Sequence, residues 1–158
     1  MIGKINQFVL KIKDMDEEKK VIEFALDFIM EFLKCDSGTY FSVNENKKIL
    51  TFDIVKGPSK DVITGVSFKY EGIAGWCAEN KRNIIVRDVS KNPEFTYKVD
   101  YATGYKTRSI IAVSLTNKDK IKGVFEFINP LEKNFFDNED LELIELIVNI
   151  ISLKINWN

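Results

Sequence analysis

Apolar positions change period along the chain, and each change marks an element. Ile2, Ile5, Val9 and Ile12 recur at spacings of three, four and three, one seam of a short helix over residues 1–13. Such a helix is too short to stand alone. After Asp14-Met15-Asp16, the positions Ile22, Ala25, Leu26, Ile29, Phe32 and Leu33 write a second helix, with Asp16 as candidate N-cap, Glu17 and Glu18 in its first turn, and Asp36-Ser37-Gly38 as its stop. The period then drops to two. Thr39, Phe41 and Val43 alternate with Tyr40 and Ser42, and Asn44-Glu45-Asn46-Lys47 turns the chain into a second strand from Ile49 to Val55. Gly57-Pro58 breaks the pattern, Ser67 to Lys69 reads as a short strand, Gly72 to Asn80 as a brief helix opened by glycine, and Ile84-Ile85-Val86 as an apolar strand. Residues 88–108 have little periodicity yet carry Phe95, Tyr97, Tyr101 and Tyr105, whose apolar area calls for cover; they read as a folded lid. Ile110 to Leu115 and Ile121 to Ile128 form the next hairpin. The last helix spans 137–158, with Leu141, Ile144, Val148, Ile151 and Ile155 in one row and Leu143, Ile147 and Ile150 in a second, one row serving the core and the other a partner.

This order predicts a single α+β domain over residues 1–158, a central antiparallel sheet with the terminal helices on one face. The other face has only the segments 58–83 and 88–108 to cover it, and irregular cover leaves a ligand pocket. Ile155 and Trp157 lie where a terminus ordinarily frays unless tied down, so the seams of 1–13 and 137–158 are expected to join a second copy in a homodimer.

Composition narrows the function. With 158 residues, 45% hydrophobic and 30% charged, the chain suits one compact domain. Lys+Arg 23 against Asp+Glu 24 leaves a net charge of -1, with no field to hold a nucleic acid or an anionic membrane. No apolar run approaches the roughly 20 residues of a membrane span, and the first residues lack the basic and apolar regions of a signal peptide, so a cytoplasmic protein is expected. There is no histidine, which removes the commonest general base and the commonest transition-metal ligand together. Cys35 and Cys77 have no CxxC partner and read as reduced, buried thiols; no metal site is expected.

Four segments in register carry a family resemblance: Gly72-Ile73-Ala74-Gly75; Ile85-Val86-Arg87-Asp88-Val89 followed by Asn92-Pro93-Glu94-Phe95; Asp100 through Val113; and Gly123 through Asn129 with Phe136 and Asp140-Leu141 beyond. Together they resemble GAF domains over about residues 16–155. The resemblance implies a GAF fold and a sensing and dimerisation module, binding a small molecule without turnover, in the N-terminal part of a larger signalling protein or transcription regulator. The stretch from Asp100 to Arg108 is most similar to the cyclic-nucleotide-binding members, which implies cAMP or cGMP as ligand. On that similarity Asp100 and Thr103 contact the ligand from the lid, Thr39 and Ala74 from the pocket wall, and Glu126 from the sheet. Ile73 and Ala74 offer backbone N–H groups at a helix start, which suits a cyclic phosphate. Phe41, Asp88, Phe95, Tyr101 and Arg108 complete the candidate ligand-binding set. One departure stands out: the family's Asn-Lys pair is here Asn129-Pro130, so Lys133 has to supply the cation that pairs with Asp140.

Several of these residues have a second reading. Asp88 before Val-Ser is favoured as a turn cap over a ligand contact. Arg108 either anchors the lid or charges the pocket, Tyr101 and Tyr105 either stack on a ring or cover a core edge, and Glu126 faces either pocket or solvent, the resemblance favouring the pocket. Two alternative functions are also open: a ligand-free dimerisation scaffold, and a thiol-redox enzyme of the free methionine sulfoxide reductase type. The second is disfavoured because that family's cysteines fall where this chain has Ala74 and Thr103. Bilin and haem variants lack their histidine.

Overall fold

The computed structural model describes all 158 residues. Its elements are α1 (Ile2–Lys13), α2 (Glu18–Leu33), β1 (Cys35–Asn44), β2 (Ile49–Lys56), α3 (Lys60–Ile63), β3 (Ser67–Lys69), α4 (Gly72–Asn80), β4 (Ile84–Val86), a single 3-10 turn at Val89–Lys91, α5 (Lys98–Thr103), β5 (Ile110–Asn117), β6 (Lys120–Pro130) and α6 (Asn138–Lys154). The strands form one antiparallel sheet in the order β3-β2-β1-β6-β5-β4, with the two longest at its centre. Helices α1, α2 and α6 cover one face and the short helices α3, α4 and α5 the other, the α+β arrangement that the pattern predicts.

Alternation along the central strands sorts side chains between two cores. Tyr40, Phe125 and Phe127 enter the helical face with Ile111, Val113 and Leu115, while Phe41, Val124, Ile110 and Ala112 enter the opposite face. Full burial of a side chain of this size contributes about 1.5–3 kcal/mol. A bulge interrupts β2: Tyr40 pairs with Ile54 and Phe41 with Phe52, which leaves Asp53 as the extra residue. Beyond it the faces exchange, so Leu50 and Phe52 share a face with Val55, and Ile54 crosses to the helical side.

Several expectations are corrected. Glu17, not Asp16, sits at the N-cap of α2, with no side-chain cap bond. That helix ends where Lys34 adopts left-handed backbone (φ 51), and Asp36-Ser37-Gly38 lie inside β1 instead of forming a stop. On α1 the seam shifts to Phe8 and Ile12, leaving Ile2 84% exposed. Asp137 does cap α6, exchanging backbone-to-carboxylate bonds with Asp140, but the helix stops at Lys154 instead of running through 158. Both apolar rows of α6 turn inward: Leu143 and Ile147 are as buried as Ile144, Val148 and Ile151, because the helix is flanked by β5 on one side and by α1 and α2 on the other. Ile155 joins the same core and Trp157 packs against it, its indole N–H bonded to the Ser152 carbonyl at 2.8 Å. The tail is therefore tied down within the chain. No helix is long and apolar enough to cross a membrane.

Candidate functional site

On the face opposite α1, α2 and α6, the sheet and its irregular cover form a partly open cavity of about 330 Å³. Its floor is built by period two, which aims Ser37, Thr39 and Phe41 from β1 and Glu126 and Ile128 from β6 the same way. The Asp53 bulge keeps both Phe52 and Val55 of β2 on this wall. Phe41, Phe52 and Phe68 form an aromatic cluster with ring centroids 4.6, 5.3 and 5.9 Å apart. The first turn of α4 brings Ile73 and Ala74 to the edge, and α4 sits low because Gly75 lies against the backbone of Tyr70, where a Cβ would approach within 2.8 Å. Val62, Ile63 and Val66 close one side, and Phe95, Val99, Asp100 and Tyr105 close the other.

Glu126 is the dominant electrostatic feature. It is directly opposite Thr39 on β1 and Ala112 on β5 and is 9% exposed, and its carboxyl makes no hydrogen bond to the protein. Burial, aided by the nearby Asp100 charge, pushes its carboxyl up to about 7.

The lid is fastened by polar side chains. Asp100 accepts from the Thr107 N–H at 2.9 Å and from its hydroxyl at 2.7 Å. The Tyr105 hydroxyl donates to Asp36 at 2.6 Å, and Asn129 donates to that same hydroxyl at 3.1 Å and to the Lys106 carbonyl at 2.9 Å. The Asn129 oxygen meanwhile accepts from the N–H groups of Arg108 and Ser109 at 2.8 and 3.2 Å. Lys133 does reach Asp140, at 2.6 Å, and Asp137 at 2.9 Å, so the cation missing after Asn129 returns three residues later.

Of the predicted site residues, Thr39, Phe41, Ile73, Ala74, Phe95, Asp100 and Glu126 come together around the cavity. Four do not. Asp88 is exposed and caps the 3-10 turn, accepting from Ser90 N–H and hydroxyl at 3.0 and 2.6 Å. Tyr101 is 85% exposed and stacks on Tyr97 outside the lid. Thr103 donates back to the Val99 carbonyl at 2.8 Å, inside its own helix. Arg108 points away and anchors the loop after β6 through the carbonyls of Pro130 and Asn134 at 3.0 and 3.1 Å. Tyr105, which sequence reasoning paired with Tyr101 as a candidate for stacking, does line the cavity, whereas Ser37, Phe52, Val55 and Thr107 were missed. Thr39 carried the signal for Ser37, two positions earlier on one strand face; the bulge erased it for Val55.

The two cysteines lie on opposite faces of the sheet, Cys35 in the helical core and Cys77 in the core on the pocket side. Burial pushes both thiols up to about 12. No cluster of three or more Cys, Asp or Glu side chains is arranged to hold a metal ion.

A family model described as a GAF domain matches residues 16–156. The chain is 33% identical over 101 residues to the cone cGMP-specific 3',5'-cyclic phosphodiesterase subunit alpha' of Gallus gallus, an alignment covering 64% of this chain and 11% of that protein. It therefore spans about a tenth of the length of that curated relative. Among solved structures, the GAF domain of an Acinetobacter phosphoenolpyruvate-protein phosphotransferase superposes with TM-score 0.79 at 16% identity, covering 96% of this chain and 89% of that one. The free methionine-R-sulfoxide reductase of Neisseria meningitidis also gives TM-score 0.79 at 16% identity, with coverage of 94% and 84%. At such identities these two likenesses concern the fold alone.

Proposed function

The chain belongs to the GAF domain family, and on that premise we propose that it is a sensory domain that binds a small molecule, a nucleotide or a metabolite, in the cavity beneath the lid and acts as the regulatory module of a larger cytoplasmic signalling protein. The observation that carries this reading is the partly open cavity itself, of ligand-site size, with an unpartnered acid at its base. A ligand-free scaffold would fill that space with its own aromatics. Instead Phe95 and Tyr97 pair edge to face with each other at 4.7 Å and leave the space open. Relatedness to cGMP-specific phosphodiesterases makes cGMP and cAMP the first ligands to test. Calorimetry and thermal shift at millimolar ligand should give saturable binding that weakens in Thr39→Ala. No heat, no shift and no small molecule copurifying in native mass spectrometry would overturn the sensor reading.

A regulatory role also fits the thiols. Thiol-redox turnover needs an attacking and a resolving cysteine close together, one of them readily ionised, whereas here the sheet separates two buried, protonated thiols. Turnover of free methionine sulfoxide, lost in Cys77→Ala, would refute this. For dimerisation through the terminal helices, the available apolar surface is Ile2 and Leu10 on α1 with Leu146 and Leu153 on α6, not the buried second row. Sedimentation should show a dimer that Leu146→Glu together with Leu153→Glu dissociates.

A further inference from the structure

Every other charged side chain on the cavity wall already has a partner. Lys56 is held by Glu23 at 2.7 Å and Asp27 at 3.5 Å, Lys98 and Glu71 pair at 2.8 Å, and Asp100 takes its two bonds from Thr107. Glu126 alone is unpartnered, nine-tenths buried and aimed into the space. Around it stand Thr39 from β1 and Ala112 from β5, while Asp100 from α5 and Cys77 from α4 lie near enough to feel its charge. None of these is a cation. Above them the Phe41, Phe52 and Phe68 cluster faces the lid side chains Phe95 and Val99 across the cavity.

We infer that the pocket selects ligands that present N–H donors on a flat apolar body, such as an amidinium or an amide N–H edge, over ligands that present an anion to Glu126, and that such a ligand binds the ionised carboxylate and expels its proton. The inference rests on the sensor reading and adds the ligand's chemical class. A largely buried carboxylate with no protein donor has few acceptor contacts, and a pair of parallel N–H groups supplies them in charge-assisted form. An anionic group would meet both Glu126 and Asp100. The proton balance is simple: Glu126 gives its proton to solvent as the ligand's N–H groups replace it, and no covalent bond of the ligand changes.

Burial holds the Glu126 carboxyl at about 7, so its ionised fraction rises from about a tenth at pH 6 to about nine-tenths at pH 8, and affinity for an N–H donor ligand should rise about tenfold. The test uses benzamidine, benzamide and benzoate as probes, titrated against the full chain by ligand-detected NMR at both pH values, with wild type and Glu126→Gln. Benzamidine should bind tightest and benzoate weakest, with a tenfold gain for benzamidine from pH 6 to pH 8 that disappears in Glu126→Gln. Calorimetry at pH 7 in two buffers of different ionisation heat should show about half a proton released per benzamidine bound. Should the variant fail to fold, the wild-type pH profile and proton count decide alone. Benzoate binding as tightly as benzamidine, or benzamidine affinity that falls as pH rises, overturns the inference and leaves the pocket a ligand site. No binding by the three probes or by either cyclic nucleotide, together with no small molecule copurifying, overturns the sensor reading, and the inference with it.

Discussion

Glu126 makes stability depend on pH in a direction opposite to that of most carboxylates. Its ordinary value is 4.5 and in the fold it is held at about 7, so ionisation is harder in the folded state than in the unfolded one. The stability that the neutral acid supports is complete below about 4.5, declines as pH rises toward 7, and is about 3 kcal/mol smaller above that. Glu126→Gln keeps the shape without the charge. It should flatten this dependence and be more stable than wild type at pH 8, read by urea unfolding at pH 5 and pH 8; an unchanged slope would refute the assignment. Asn129 is the second residue on which much depends, since its amide satisfies four groups of the segment from Tyr105 to Ser109, and its positive φ of 58 is one that asparagine tolerates. Asn129→Ala leaves buried backbone groups without partners and should cost about 2–4 kcal/mol in denaturant unfolding. Glu126 was legible because a strand's period of two leaves only two faces to choose between and the family resemblance favours the pocket face. Tyr101, Thr103 and Arg108 were not, because in a loop or a short helix nothing in the sequence fixes where a side chain points, whereas the cap favoured for Asp88 is the one that the structure shows.

Elements were legible where a period persisted and were misjudged where tertiary neighbours decide. The final helix shows this: two apolar rows on α6 can mean a core and a partner or two internal neighbours, and only the positions of β5, α1 and α2 choose the second. Asp36-Ser37-Gly38 carries turn residues, yet β1 absorbs them because Gly38 lets the strand pass beneath Met30, whose sulfur lies 2.7 Å from where a Cβ would be. Strand bulges were invisible, since one extra residue changes no composition and no local preference. At the β6 bulge, Lys122 is the added residue, and beside it Gly123 accepts the ring of Tyr40, which bonds the Lys122 carbonyl at 3.3 Å. A Cβ at Gly123 would fall within 2.3 Å of that ring. Gly123→Ala should therefore destabilise by about 1–3 kcal/mol through overpacking, and Gly123→Ala with Tyr40→Leu should recover part of the loss. Equal stability of wild type and the single variant would refute the packing argument.

For the molecule as a whole, the sheet stands between the place where a ligand is sensed and the helices from which a signal would leave. Glu126 reaches the cavity from β6, and its immediate neighbours Phe125 and Phe127 are fully buried among α2 and α6 on the far side. A displacement of that strand on binding has to be shared by both cores, because close-packed interiors accommodate shifts by moving neighbours and not by compression. Coupling then requires that ligand favour one of two arrangements of the helices, since equal affinity for both would transmit nothing. The expected result in hydrogen exchange with saturating ligand is slower exchange at residues 98–107 of the lid and a few-fold change, of either sign, in α1 and α6. The lid change alone, with the terminal helices unaltered, would mean that the sheet insulates its two faces, and any signal would have to leave through the exposed lid surface around Tyr97 and Tyr101. Comparing wild type with Glu126→Gln, each saturated with benzamidine, separates the cases. If β6 is the connecting element, losing the carboxylate should abolish the helix response while the lid still closes on the bound ring.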